Sequence, residues 1–185
     1  MISEAEKGQM LEVLRSVARP GSNGEDRLGA LEDRLEIETL IHRYGYLCDF
    51  RQWDELMDLY TDDIERVLGG TLVEQVKGKE ALRPLYESLP LPNRGGGKGA
   101  PGAQQLATYE VKHFITGIVV DVRGDEASAV ARYTISAEGE VDGQPQRGTH
   151  DGSYVFRFRR TPGGWRFCFM LVVSGNAQNP MFQRR

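Results

Sequence analysis

The sequence predicts an α+β domain in which N-terminal helices pack on one face of a curved, mostly antiparallel sheet. Two observations carry this. In the first half of the chain, apolar residues recur at three- and four-residue intervals, the period of a helix with one buried face. In the last third the pattern switches to alternation: Tyr154, Phe156 and Phe158 interleave with Val155, Arg157 and Arg159, one face buried and one wet. Helices followed by a meander of strands segregate to one side of the sheet. The 185 residues suit one domain with some decoration.

The elements follow in order. Residues 3–18 are helix-prone, with Met10, Leu11, Leu14 and Val17 at helical spacing, and Pro20 to Gly24 break the pattern. Residues 1–25 therefore read as an N-terminal helical extension and 26–185 as the single domain. The main helix runs from about Asp26 to Cys48, its apolar face made by Ile37, Leu40, Ile41, Tyr44, Leu47 and Cys48. Trp53 to Tyr60 is a short helix with Asp54 and Glu55 in its first turn, where negative charge suits the dipole. Ile64 to Leu68 and Thr71 to Val76 read as a hairpin around Gly69-Gly70, and Gly78 to Leu89 as another short helix. The segment 90–105 is rich in glycine and proline; so long a loop is a lid or a disordered insertion. Its run Arg94-Gly95-Gly96-Gly97-Lys98 lacks the Gly-Lys-Ser/Thr of a phosphate loop. Strands are expected over Thr108–Val122, Ala127–Glu140, Gln146–Arg160 and Trp165–Ala177, joined by turns at Gly124, Gly143 and Gly163-Gly164.

Composition narrows the function. A net charge of −4 gives no nucleic-acid footprint. The polar, acidic start has no signal-peptide pattern, and no apolar run approaches the roughly 20 residues that span a bilayer. Cys48 and Cys168 read as reduced thiols of a cytoplasmic protein. There is no His-x-His, His-Glu-x-x-His or Cys-x-x-Cys, so no metal site is expected, and no dinucleotide fingerprint, so no cofactor.

Three histidines remain to be weighed. His42 lies opposite the apolar stripe of the main helix and reads as solvated; His150 precedes a strand and reads as a turn residue or a pocket-mouth residue. His113 shares the apolar face of its strand with Val111 and Ile115 and, unless Gly117 bulges, with Val119. A core histidine is the plain reading. Asp49, an acid at the end of an apolar stripe, is its natural partner, because a buried carboxylate and a buried imidazole are each costly unless paired. The geometry sets a condition: at 100° per residue Asp49 points about 140° away from Tyr44, so it turns inward only if the helix ends at Cys48.

The ordered set Ile37, Leu40-Ile41, Tyr44, Asp49-x-x-x-Trp53-Asp54-x-Leu56 and Leu59-Tyr60-Thr61-Asp62-Asp63 resembles the opening of SnoaL-like proteins of the nuclear transport factor two-like superfamily. Gly78-Lys79-Glu80-Ala81-Leu82, His113 followed by Val119 to Val122 and Gly124-Asp125, Gly152-x-Tyr154, and Gly163-Gly164-Trp165-Arg166-Phe167 continue the resemblance over about residues 30–175. It implies a cone-shaped α+β barrel closed by helices around a deep apolar pocket. It also implies roles. In the branch containing scytalone dehydratase, bile-acid 7α-dehydratase and hexachlorocyclohexane dehydrochlorinase, an aspartate at the position of Asp49 pairs with a histidine at the position of His113. A tyrosine at the position of Tyr44 occurs in the bile-acid enzyme.

The expected chemistry is proton abstraction by His113, with Asp49 stabilising the imidazolium and Tyr44, Tyr46 or Tyr60 donating to a leaving oxygen or an enolate. Dehydration, isomerisation and aldehyde-releasing elimination all fit, on a hydrophobic, aromatic or polycyclic small molecule. Tyr46, Trp53, Tyr60, Arg66 and His150 complete the substrate-contacting set, although Trp53 reads first as core packing and Arg66, like Arg132, as surface charge. The alternative is a non-catalytic member, a small-molecule binding module or a structural subunit. By analogy a homodimer or homotrimer would form through the exposed face of the sheet.

Overall fold

The computed structural model describes residues 4–16, 24–68, 74–88, 109–141 and 144–174. Helices α1 (Glu4–Ser16), α2 (Gly24–Asp49) and α3 (Trp53–Asp58) precede strands β1 (Tyr60–Leu68) and β2 (Glu74–Lys77). Helix α4 (Lys79–Glu87) and strands β3 (Tyr109–Arg123), β4 (Glu126–Val141), β5 (Gln144–Thr161) and β6 (Gly164–Ser174) follow. The six strands form one open sheet in the order β2-β1-β6-β5-β4-β3. Among the described strands the β1–β6 pair is parallel and the other neighbours are antiparallel. The fold is the expected α+β arrangement of helices and a mostly antiparallel sheet. The expected turn at Gly69-Gly70 and the Pro90 to Gln105 segment lie outside the described residues.

The inner face of the sheet and helices α2, α3 and α4 enclose one core. Ile37, Ile41, Leu56, Ile64, Phe156, Trp165, Phe167 and Met170 are fully buried in it. Strand β3 supplies both faces through a bulge. Gly117 has φ +60°, and the pairing with β4 slips between Thr116 and Val119. Ile115 points to the core; beyond the bulge Ile118, Val120 and Val122 do, and Val119 faces the other way. One extra residue reverses the parity of everything after it.

The outer face departs from the alternation-based expectation of a wet surface. Helix α1 lies across it, with Val13 buried against Val130, Val155, Leu171 and Val173. Val155 is thus as buried as its inward neighbours, while Leu14, expected on the buried stripe of α1, is exposed. Part of the surface expected to serve an oligomer is taken by the chain's own first helix.

Trp165 ties α2 to the β5–β6 hairpin. Its Nε1–H donates to Asp33 Oδ1 (3.0 Å), its backbone N–H to Glu36 Oε1 (3.0 Å), and the Arg160 guanidinium lies 4.4 Å from its ring centroid. Arg160 Nη2 also donates to Asp33 Oδ2 at 2.7 Å. These bonds, Arg160 first and Trp165 after, hold the Asp33 carboxyl below its ordinary value of 3.8, against burial, which opposes them. A depressed carboxyl stabilises the fold above its unfolded value and loses that contribution as pH falls through the folded one. Asp33→Asn is therefore expected to lower stability at neutral pH by about 1–3 kcal/mol and to flatten the acid limb below pH 3.8. Urea unfolding as a function of pH measures both.

Gly152 in β5 is required by close packing. A Cβ there would collide with the Val173 carbonyl and lie 2.6 Å from the Tyr133 hydroxyl, whose ring crosses the glycine. Gly152→Ala is expected to cost about 1–3 kcal/mol or more, read by chemical denaturation.

Candidate active site

Helix α2 presents two stripes. Ile37, Leu40, Ile41, Tyr44 and Cys48 face the main core. On the flank, one turn apart, Gly45 and Asp49 face β3. A Cβ added to Gly45 would lie 3.3 Å from Ile115 Cδ1 and 3.4 Å from His113 Cβ, so the strand runs close against the helix there. Because β3 is the last strand of a curved sheet, it comes alongside α2 rather than beneath it. Asp49 therefore meets His113 from within the helix, and the condition that the helix end at Cys48 does not apply. The helix stops one residue later. Arg51 takes a left-handed φ of 56°, its N–H donates to Cys48 O (3.2 Å), and Gln52 N–H donates to Leu47 O (2.9 Å). This pairing usually has glycine at the left-handed position; here it is an arginine, so no sequence signal marked the stop.

The Asp49 carboxylate grips one residue twice. Oδ1 lies 2.5 Å from His113 Nδ1, and the His113 backbone N–H donates to Oδ2 at 3.0 Å and Oδ1 at 3.1 Å. Both side chains are only 11% exposed. An ionised carboxylate only accepts, so Nδ1 carries the proton and Nε2, on the far side of the ring, keeps its lone pair. The Tyr44 ring stands edge-on to the imidazole, centroids 6.2 Å apart. Tyr44 in turn packs edge-on to Tyr154 and Phe167.

Beyond the pair lies a group of buried phenols. The Tyr60 and Tyr86 hydroxyls share a hydrogen bond of 2.8 Å. Burial pushes the hydroxyls of Tyr44, Tyr60, Tyr86 and Tyr154 above the ordinary tyrosine value, and their mutual proximity contributes to most of these shifts. They are neutral donors at neutral pH. Burial likewise pushes the Cys48 thiol up to about 12, with Asp49 adding to it and the Tyr44 hydrogen bond opposing it. Cys48 is thus an inert thiol, and both cysteines are free.

The remaining expected site residues divide. Tyr60 is buried in the phenol group, and Arg66 lies on the inner face of β1 between Ile64 and Leu68. His150 lies inside β5 rather than in a turn. It pairs with Ile135, which pairs with His113, so the two histidines occupy one cross-strand row about 10 Å apart by strand spacing. Its ring lies 5.5 Å from that of Tyr133, and burial lowers its basicity, with Asp151 opposing. Trp53 stacks on Tyr86 and supports the site from behind. Tyr46 is not brought in: it is 64% exposed and stacks on Phe50 outside. His42 and Arg132 are exposed. Tyr86 and Tyr154 were not among the expected site residues. Their only signal, apolar spacing in α4 and alternation in β5, reads as core. Among the described residues no group of His, Cys, Asp and Glu could hold a metal ion, and no helix is long and apolar enough to cross a membrane.

A curved sheet, three covering helices and a His–Asp pair on the inner side define a class of protein, the cone-shaped α+β folds. Within that class this chain belongs to the SnoaL-like domain family, whose model matches residues 29–170. A nuclear transport factor two-like protein of cystatin-like fold from Novosphingobium aromaticivorans is 28% identical, with a TM-score of 0.58 over 89% of this chain and 100% of its own. A hexachlorocyclohexane dehydrochlorinase of type 2 is 20% identical, with a TM-score of 0.61 over 80% of this chain and 89% of its own. The β subunit of a candidate aromatic-ring-hydroxylating dioxygenase from N. aromaticivorans is 19% identical, with a TM-score of 0.61 over 84% and 96%. No curated protein sequence matches. The last two likenesses speak to the fold alone.

Proposed function

We propose that this chain is a cofactor-independent lyase or isomerase acting on a hydrophobic, aromatic or polycyclic small molecule, with His113 as general base. The observation that carries the reading is the Asp49 carboxylate bound to Nδ1 and to the backbone N–H of the same histidine. That arrangement fixes the tautomer and orients the ring. Nε2 takes a proton from a carbon or hydroxyl of the substrate, and Asp49 stabilises the imidazolium that forms. The electron pair released expels a leaving group across the adjacent bond, or is held as an enolate that the imidazolium reprotonates elsewhere. Tyr44 and Tyr60, neutral by burial, donate to the oxygen that gains charge. Dehydration, isomerisation and loss of a small aldehyde are variants of this one step.

The fold is shared by a dehydrochlorinase and by a dioxygenase β subunit, so by itself it accommodates both elimination chemistry and the second reading, a structural subunit with no turnover. A homodimer or homotrimer would use the outer face beyond α1, where Phe114 is 53% exposed. The deciding test is a panel of aromatic β-hydroxy ketones, β-hydroxy acids and polychlorinated cyclohexanes, assayed with wild type and His113→Ala. Turnover that the variant loses supports the enzyme. A panel without turnover, or turnover indifferent to the substitution, overturns it.

A further inference from the structure

Arg66 is a cation for which the described residues offer no counter-ion. It sits on β1 between Ile64, fully buried, and Leu68, which packs on the core, so its side chain leaves the strand toward the inside of the cone. Val67, the intervening residue, packs on the outer cluster under α1, which fixes the parity. Its register partner on β6, Met170, is also a core residue. Among the described residues Arg66 makes no ion pair, and its Nε is buried with no hydrogen-bond partner. The face of Tyr86 lies 5.5 Å from its guanidinium carbon.

The surroundings deepen the contrast. Tyr44, Tyr60, Tyr86 and Tyr154 lie near Arg66, and burial keeps all four phenols protonated. None supplies negative charge. They supply donors instead: in the Tyr60–Tyr86 hydroxyl pair one proton is used and the other is left to donate onward. A guanidinium with an unpartnered Nε–H, on the face of Tyr86 and beside neutral hydroxyl donors, matches a planar anion carried on an apolar body.

We infer that Arg66 is the anchor for a carboxylate on the substrate, so that the molecules this site takes are aromatic acids rather than neutral arenes. This deepens the functional reading above and rests on it for the word substrate; the binding claim stands on Arg66 alone. The carboxylate occupies the guanidinium fork and accepts from the phenols, the aromatic body fills the apolar interior, and the reacting carbon is left for the imidazole of His113.

The test uses the full chain with cinnamate and cinnamamide, isosteres that differ in charge, titrated calorimetrically at pH 7.5. Wild type is expected to bind the acid at least tenfold more tightly. Arg66→Gln is expected to bring the two to parity by weakening the acid alone, Arg66→Lys to keep part of the preference, and Arg132→Gln, at an exposed position, to keep all of it. Equal binding of acid and amide by wild type, no binding of cinnamate at millimolar concentration, or a preference that survives in Arg66→Gln overturns the assignment. Should Arg66→Gln fail to fold, the wild-type comparison and Arg66→Lys decide. His113→Ala separates the two readings, since it is expected to retain the acid preference. An acid preference in a protein without turnover removes the enzyme and leaves the anchor, and turnover without an acid preference does the reverse.

Discussion

His113→Ala is expected to lower kcat by about 10²- to 10⁴-fold, the range for loss of a positioned general base, with KM changing far less. In the proposed reaction the imidazole accepts the proton, and no other described base shares its position on the inner face of β3. Asp49→Asn is expected to fall in the same range for a different reason. Asparagine presents an amide N–H where the carboxylate presented only lone pairs, so the ring is free to flip its tautomer and turn a protonated Nε2 toward the substrate. Because Asp49 also accepts the His113 backbone N–H, Asp49→Ala is expected to add a loss of stability of about 1–3 kcal/mol, which Asp49→Asn largely avoids. Steady-state kinetics of the three variants, alongside thermal unfolding, separate chemistry from folding. Tyr46→Phe, on the exposed side of α2, serves as the control with unchanged kinetics. An Asp49→Asn enzyme with wild-type kcat would refute the role of the pair.

Trp165→Ala is expected to destabilise the fold by about 3–5 kcal/mol. The indole is fully buried, so its removal leaves a cavity under α2 as well as losing its transfer free energy. It also strips Asp33 of a donor and Arg160 of the ring it lies against. Trp165→Phe keeps most of the volume and loses the Nε1–H bond, and is expected to cost less than half as much. Urea or guanidinium unfolding at neutral pH gives both values; a loss below about 1.5 kcal/mol for Trp165→Ala would mean that the site collapses around the gap. The effect bears on function indirectly, because this anchor sets the position of the helix that carries Asp49.

The class of the fold and the order of its elements were legible because each depends on local periodicity. Ile37, Leu40, Ile41 and Tyr44 recur at helical spacing and are all buried; Tyr154, Phe156 and Phe158 alternate and are all buried. The pairing of Asp49 with His113 was legible too, as two polar groups on apolar stripes. Tyr46 was misplaced because it is one of three tyrosines within reach of Asp49 in sequence, and spacing alone does not say which side of a helix a neighbouring strand will cover.

By itself, then, the sequence determined which residues seek burial, where helices give way to strands, and that Asp49 and His113 each needed a partner. Only the tertiary structure decided how those needs are met. The curvature that brings β3 beside α2 joins the pair, the Gly117 bulge reverses the inward face of β3, α1 turns an expected wet face into a covered one, and the parity of β1 turns Arg66 inward. The reason is that periodicity records how strongly a side chain avoids water, which is a property of neighbours in the chain. Which element lies against it depends on sheet twist, bulges and close approaches such as that at Gly45, and these are set by contacts between residues far apart in the chain.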